Sequence, residues 1–338
     1  MKIAIHPQKN SFSDRWIEYC EKEKIEYKIV DAFNSNIIEQ LKDCNIFMWH
    51  HHHAQFKDVL TAKRILFALE HAGIKVFPDF KTGWHFDDKV AQKYLLEAIN
   101  APLVPSYVFY DKQQALDWAK QTTYPKVFKL KGGAGASNVK LVRSYSQAIA
   151  LINTAFGRGF AQFDRLGYFK ERFNKFKNGK DTFIGVLKGF ARIFIVPEFA
   201  KQQPAEKGYI YFQEFIPNNK TDFRIKVVNN KCWGFQRKVR DNDFRASGSG
   251  NLIFDINSIP IEMIKISLEV AKKLQLQSVA FDFVVDVNSK PLIVEVSYGF
   301  GIDDNEFNYG YWDFNLIWHK DKFDPRDWII NNLISGLK

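Results

Sequence analysis

YPKVFKLKGGAGASNVKLV, residues 124–142, reads as a strand, a glycine-rich turn and a second strand. Glycines in such a turn let backbone N–H groups come close to a phosphate. The element entered after the turn decides the fold class. A P-loop needs GxxxxGK followed by Ser or Thr, and a Rossmann turn runs from a strand into a helix. Neither fits, because the required lysine is missing and this turn leads into a strand. With Lys129 and Lys131 on the strand before Gly132, Gly133 and Gly135, the hairpin suggests a flap over a nucleotide's phosphates. A tight surface hairpin is the plain alternative.

On the N-terminal side of this hairpin, residues 2–6, 27–30, 45–49 and 75–77 read as buried strands, separated by amphipathic helices over 12–24 and 56–72. That alternation predicts a small parallel α/β domain. Asp87 and Asp88 cap a helix that Pro102 and Pro105 end, and residues 145–156 read as a further helix. The stretch 157–207 is aromatic and of ambiguous period. Between 157 and 192 it carries nine Lys/Arg against three Asp/Glu. Beyond it, 209–216 is a strand, 222–239 a hairpin around Asn229-Asn230, and Pro260 opens a helix. Residues 279–297 form a second hairpin and DPRDW starts a closing helix.

Composition excludes several classes. The chain has 338 residues, is 46% hydrophobic and 25% charged, and so has the makeup of a folded globular protein rather than a disordered one. Its three cysteines, Cys20, Cys44 and Cys232, form no disulfide framework or metal knuckle, so a reducing, cytoplasmic setting is expected. No apolar run approaches the roughly 20 residues of a membrane span, and the first residues lack a signal peptide's apolar region. The net charge of +10 admits nucleic acid, anionic membrane or phosphorylated small molecules as partners. Its spread through periodic segments favours anionic sites built into the fold.

Two further features carry chemistry. Asp282 and Glu295 lie in otherwise apolar strands, VAFDFVV and PLIVEVS, on the two arms of the last hairpin. Buried carboxylates are costly unless paired or metal-bound, and adjacent oxygen donors suit Mg²⁺ on nucleotide phosphates. Two solvent-facing edge carboxylates are the alternative. The second feature is the basic series Arg224, Arg237, Lys238, Arg240 and Arg245, able to clamp a carboxylate or a transferring phosphoryl group. No Ser-His-Asp or Cys-His set stands out.

Asp88-Lys89, Lys129 with Gly132-Gly133-Ala134-Gly135, Gln213-Glu214-Phe215-Ile216, Asp222-Phe223-Arg224 and Asp282…Glu295 succeed one another in an order that resembles the ATP-grasp superfamily. The likeness is to the branch of D-alanine–D-alanine ligase, glutathione synthetase and the ribosomal-protein glutamate ligases. It implies an α/β (α+β) ATP-grasp fold with a pre-ATP-grasp domain over 1–84 and the ATP-grasp domain over 85–338. Within the latter, 121–212 would bear the flap, with 157–207 an insertion, and 213–338 the metal and acceptor sites. The resemblance implies that Lys89, Lys129, Lys131 and the turn 132–137 contact ATP phosphates. Gln213, Glu214, Phe215 and Ile216 would receive adenine or ribose, with Asp222 on the ribose. Asp282, Glu295 and, in place of the family's Asn, Ser297 would hold Mg²⁺, with Mn²⁺ as a substitute and Asp303 or Asp304 completing the set. Arg224, Arg237 and Arg245 would face the acceptor and its acyl-phosphate.

The implied activity is ATP-dependent carboxylate–amine ligation, with a small-molecule, amino-acid or saccharide-linked carboxylate as acceptor. The pattern also resembles ATP-grasp proteins of surface-polysaccharide synthesis. ASGSGN (246–251) replaces the glutamate ligases' Asn-x-His-Arg, so a different acceptor is expected. A non-ligating, ATP-binding regulator is the chief rival, with nucleic-acid binding a weaker one, and homo-oligomerisation stays open. Finally, MWHHHHAQF (48–56) comes after the third strand at its C-terminal end. Alternation along an extended chain lets at most two of the four histidines face one site. Trp49, His50 and His52 are candidate acceptor contacts, as is Tyr298 in the aromatic tail, with core packing or a solvated loop as alternatives.

Overall fold

The computed structural model describes residues 1–132, 138–161, 165–177, 179, 182–195, 204–240, 243–246 and 250–337. They form two compact units, Met1–Val104 with Ile216–Lys338, and Pro105–Phe215. The first unit opens with β1 (Lys2–Ile5), α1 (Phe12–Lys22), β2 (Glu26–Ile29), α2 (Ile37–Gln40), β3 (Ile46–Met48), α3 (Phe56–His71) and β4 (Lys75–Phe77). The strands pair in parallel in the order β2-β1-β3-β4; β1 and β3 are buried apolar runs, whereas β2, expected to be buried, is a partly exposed edge strand, with Glu26 and Ile29 exposed. After α4 (Phe80–Gly83), α5 (Lys89–Ala98) starts where the Asp88 carboxylate accepts the Ala91 N–H at 2.9 Å. Asp88 alone caps this helix; Asp87 lies just outside it with φ of +54°.

The second unit holds β5 (Ser106–Phe109), α6 (Lys112–Gln121), β6 (Lys126–Lys129), β7 (Val139–Val142), α7 (Tyr145–Ala155), α8 (Arg165–Lys177), α9 (Phe183–Phe194) and β8 (Ile210–Glu214). Its antiparallel sheet runs β5-β8-β6-β7. The glycine-rich segment joins β6 to β7, and Lys129 pairs with Val139 at its root. Phe128 and Phe212 pack with Ala115, Ala119, Ala148 and Ile152 from α6 and α7. The ambiguous 157–207 stretch thus contains two helices.

The chain then completes the first unit with β9 (Thr221–Val228), β10 (Lys231–Lys238), β11 (Leu252–Ile253), α10 (Ile261–Leu274), β12 (Ser278–Val285), β13 (Pro291–Ser297), β14 (Tyr311–Trp312), β15 (Trp318–His319) and α11 (Pro325–Ser335). Pro260 stands at the N-cap of α10, one place earlier than the first helical turn. The sheet order is β13-β12-β9-β10-β14-β15, with β11 on β10. Met263, Ile264 and Leu268 of α10 cover Ile225, Val227, Phe281 and Phe283 on one face. Strand alternation therefore sends Asp222, Arg224 and Lys226 to the other face, which carries the charged groups.

Candidate active site

On that face, Asp282 of β12 is the register partner of both Arg224 on β9 and Glu295 on β13. Arg224 grips the Asp282 carboxylate through Nε at 2.8 Å and a terminal nitrogen at 2.9 Å. Arg237 of β10 reaches the same carboxylate at 2.9 Å and also holds Asp222 through two bonds of 2.7 and 2.6 Å. Burial opposes ionisation of Asp282, but the two guanidinium groups outweigh it and hold the carboxyl below the ordinary range. The outcome is an alternating row, Asp222, Arg237, Asp282 and Arg224, on a rigid sheet. Arg245, expected beside them, instead folds back on Asp243 two residues away, at 2.6 Å.

Glu295 continues the row. Lys89, the first residue of α5, lies 5% exposed with its Nζ 3.3 Å from the Glu295 carboxylate. Asp282 and Glu295 thus present hard oxygen donors on neighbouring strands, and Ser297 stands two residues further on the same face. Among the described residues no group of three His, Cys, Asp or Glu side chains converges as a metal cage. Two carboxylates still fit Mg²⁺, which keeps waters or phosphate oxygens in most of its positions. Asp303 caps the next 3₁₀ turn through the Asn305 N–H at 3.0 Å.

Two residues along β9 from Arg224, Lys226 is buried against Glu306, with Nζ 2.7 and 2.6 Å from its oxygens. Trp233 Nε1 donates to the same carboxylate at 2.6 Å and Lys226 donates to the Gly301 carbonyl at 2.8 Å. This network ties the segment after Glu295 to the sheet. No local pattern signals it, since the partners lie 80 positions apart.

In the second unit, Lys129 is 5% exposed and its Nζ donates to Gln213 Oε1 at 2.6 Å. Glu214 is held by Lys126 at 2.7 and 2.8 Å and by the Tyr107 hydroxyl at 3.0 Å. Lys126 is a buried charge that sequence reasoning missed. Phe215 and Ile216 come directly after β8. At the flap root the Lys131 N–H donates to Glu206 at 3.1 Å and the Gly132 N–H to the same carboxylate at 3.3 Å. These amides hold an anion, the chemistry a phosphate would use. Gly133, Ala134 and Gly135 lie outside the described residues.

The histidine run divides, and three expected acceptor contacts prove to be core residues. Trp49 is fully buried with its ring edge-on to His6 at 4.8 Å. His50 stacks on Phe12 at 3.8 Å and bonds Ser11 Oγ at 2.7 Å. Tyr298 is 1% exposed and donates to the His51 carbonyl at 3.0 Å. Phe12 of α1 and Tyr298 after β13 pack against the run, so that His50 and His51 are buried while His52 and His53 are only partly so. His52 is half-buried, and its N–H donates to Asp58 at 2.7 Å. The residue that senses the charged row is His53. Burial and the Lys89 charge lower its pKa, while Glu295 opposes them.

Burial pushes the Asp58 carboxyl up to about 6, against a smaller opposing effect of the His52 N–H. Between the unfolded value of 3.8 and about 6, the folded chain keeps a proton that the unfolded chain has lost. Stability is therefore expected to fall as pH rises through that window, by at most about 3 kcal/mol. Asp58→Asn should flatten this fall, read by urea unfolding at both ends of the window.

Residues 197–311 match the family described as RimK-like ATP-grasp domain, and residues 88–187 match the carbamoyl-phosphate synthase L chain ATP binding domain. An alpha-aminoadipate–LysW ligase, LysX, of Saccharolobus solfataricus is 22% identical over 209 residues, 62% of this chain. The match spans 58% of that relative's length. Among solved structures, a RimK domain ATP-grasp protein from Sphaerobacter thermophilus superposes with a TM-score of 0.53 at 16% identity, covering 88% of this chain and 90% of that one. The D-cycloserine synthetase DcsG gives a TM-score of 0.59 at 11% identity, covering 100% of each chain. These likenesses give the fold, and the two family matches fall in succession across the residues that build the charged row and the flap. The chain belongs to the ATP-grasp superfamily.

Proposed function

We propose that this protein is an ATP- and Mg²⁺-dependent carboxylate–amine ligase. The observation that carries the reading is the Asp222–Arg237–Asp282–Arg224 row with Glu295 and Lys89 at its end. A carboxylate oxygen of the acceptor attacks the γ-phosphorus of ATP, the bond to the β-bridging oxygen breaks, and ADP leaves. An amine then attacks the acyl-phosphate carbon, phosphate departs, and the amine nitrogen loses a proton to give the amide. Asp282 and Glu295 would hold Mg²⁺, which when bound supplies charge neutralisation on the phosphates. Arg224 and Arg237 orient the acceptor carboxylate and stabilise its developing charge, while Lys89 and Lys129 bind phosphate oxygens. The catalytic contribution is positioning and electrostatics, with no protein nucleophile.

The alpha-aminoadipate–LysW ligase, which joins an amino acid to LysW, supports an amino-acid-like compound as one of the two substrates. Lys129→Ala is expected to weaken ATP binding and to lower turnover about hundredfold. Calorimetric ATP titration and ADP release check it, and unchanged values for both would remove the phosphate role assigned to Lys129. ATP binding by the parent protein without substrate-stimulated ADP release would favour the regulator, for which Ser297 in place of the family's Asn is the supporting feature.

A further inference from the structure

Helix α9 has its small residues inside and its large apolar residues outside. Its buried positions are Gly185 and Gly189, and a Cβ on Gly189 would meet Arg172 Cβ of α8 at 3.2 Å. Close packing of the two helices therefore uses the glycine side. On the opposite side Phe183 is 61% exposed, Leu187 52%, Phe190 52% and Phe194 71%. At about 100° per residue these four fall within an arc of about 60°, widened by the exposed Ile184. Lys188 comes next, about 40° beyond Ile184 on one edge of the arc, and Arg192 lies further round toward the glycine side; both are exposed. α8 extends the strip, with the Phe176 ring 6.1 Å from Phe183 and Phe169 6.0 Å from Phe190. Lys170 and Lys177 of α8 are exposed as well.

A soluble surface helix ordinarily buries its bulky apolar arc. Here an exposed aromatic arc, with Lys188 at one edge and Arg192 on the polar side, has the makeup of a helix lying in a bilayer interface. At 12 residues α9 is about 18 Å long, short of the about 30 Å of a hydrocarbon core, and no described helix can cross a membrane. The exposed Lys170 and Lys177 of α8 add to Lys188 and Arg192, a charge that complements an anionic surface rather than a second copy of the same cationic pair. We propose that the α8–α9 pair is a docking surface for an anionic phospholipid bilayer, with α9 in the interface plane. This is independent of the ligase reading.

The test is co-sedimentation of the full chain with vesicles of phosphatidylglycerol in phosphatidylcholine and with vesicles of phosphatidylcholine alone. The intact protein is expected to bind the anionic vesicles, more weakly as salt rises. Phe190→Ser with Phe194→Ser, and separately Lys188→Glu with Arg192→Glu, should each weaken binding about tenfold or more. Circular dichroism checks that the variants stay folded; all four side chains are exposed. Failure of the intact protein to bind anionic vesicles, or undiminished binding by both variants, overturns the proposal. So does a dimer in analytical ultracentrifugation that the Phe190 and Phe194 changes abolish while vesicle binding is absent.

Discussion

Glu306→Leu is expected to destabilise the protein by about 3–5 kcal/mol, because it strands a buried ammonium. Lys226 and Glu306 side chains are each 1% exposed, so neither charge has water to fall back on. The change also removes the acceptor of Trp233 Nε1 and of the Asp303 N–H, bonded at 2.6 and 2.8 Å. Adding Lys226→Met should recover the part of the loss due to the stranded ammonium, leaving the cost of the unpaired Trp233 Nε1–H and Asp303 N–H. Urea midpoints at constant m-value measure both variants. A single variant that loses less than about 1 kcal/mol would show the pair to be solvated, as surface bridges are.

Asp282→Asn should lower turnover about 10²–10³-fold, and because it removes the counter-charge of Arg224 and the buried Arg237, its folding is measured alongside. The substitution keeps the shape and one acceptor oxygen but removes the charge that both guanidinium groups and a Mg²⁺ ion would use. In the structure Arg224 and Arg237 both bind Asp282, so under the proposed roles the metal and the acceptor would depend on one carboxylate. The loss should therefore come with a higher Mg²⁺ requirement. Turnover and Mg²⁺ dependence both equal to the parent's would detach Asp282 from the chemistry.

The elements that a short window specifies were readable in the sequence. β1 and β3 of the first unit showed as apolar runs, and the hairpins around Asn229-Asn230 and between Asp282 and Glu295 showed as strand-forming stretches broken by turn residues. The pairing of Asp282 with Glu295 came from hairpin geometry alone. What the sequence concealed depends on distant partners. Lys126 meets Glu214 across 88 positions, the burial of His50 depends on Phe12 of α1, and that of Tyr298 on Phe77 of β4 and on Phe86. α8 and α9 were hidden because their aromatic residues mark the exposed strip while glycines mark the contact, inverting the usual pattern. α6 was missed because alanines carry its buried face.

ADP release from Mg-ATP, measured across a panel of carboxylates paired with amines, puts the ligase reading itself at risk. The expected result is ADP formed in step with amide, requiring both the carboxylate and the amine, and lost in the Asp282→Asn variant. ATP that binds tightly yet yields no ADP with any pair in a broad panel would contradict it.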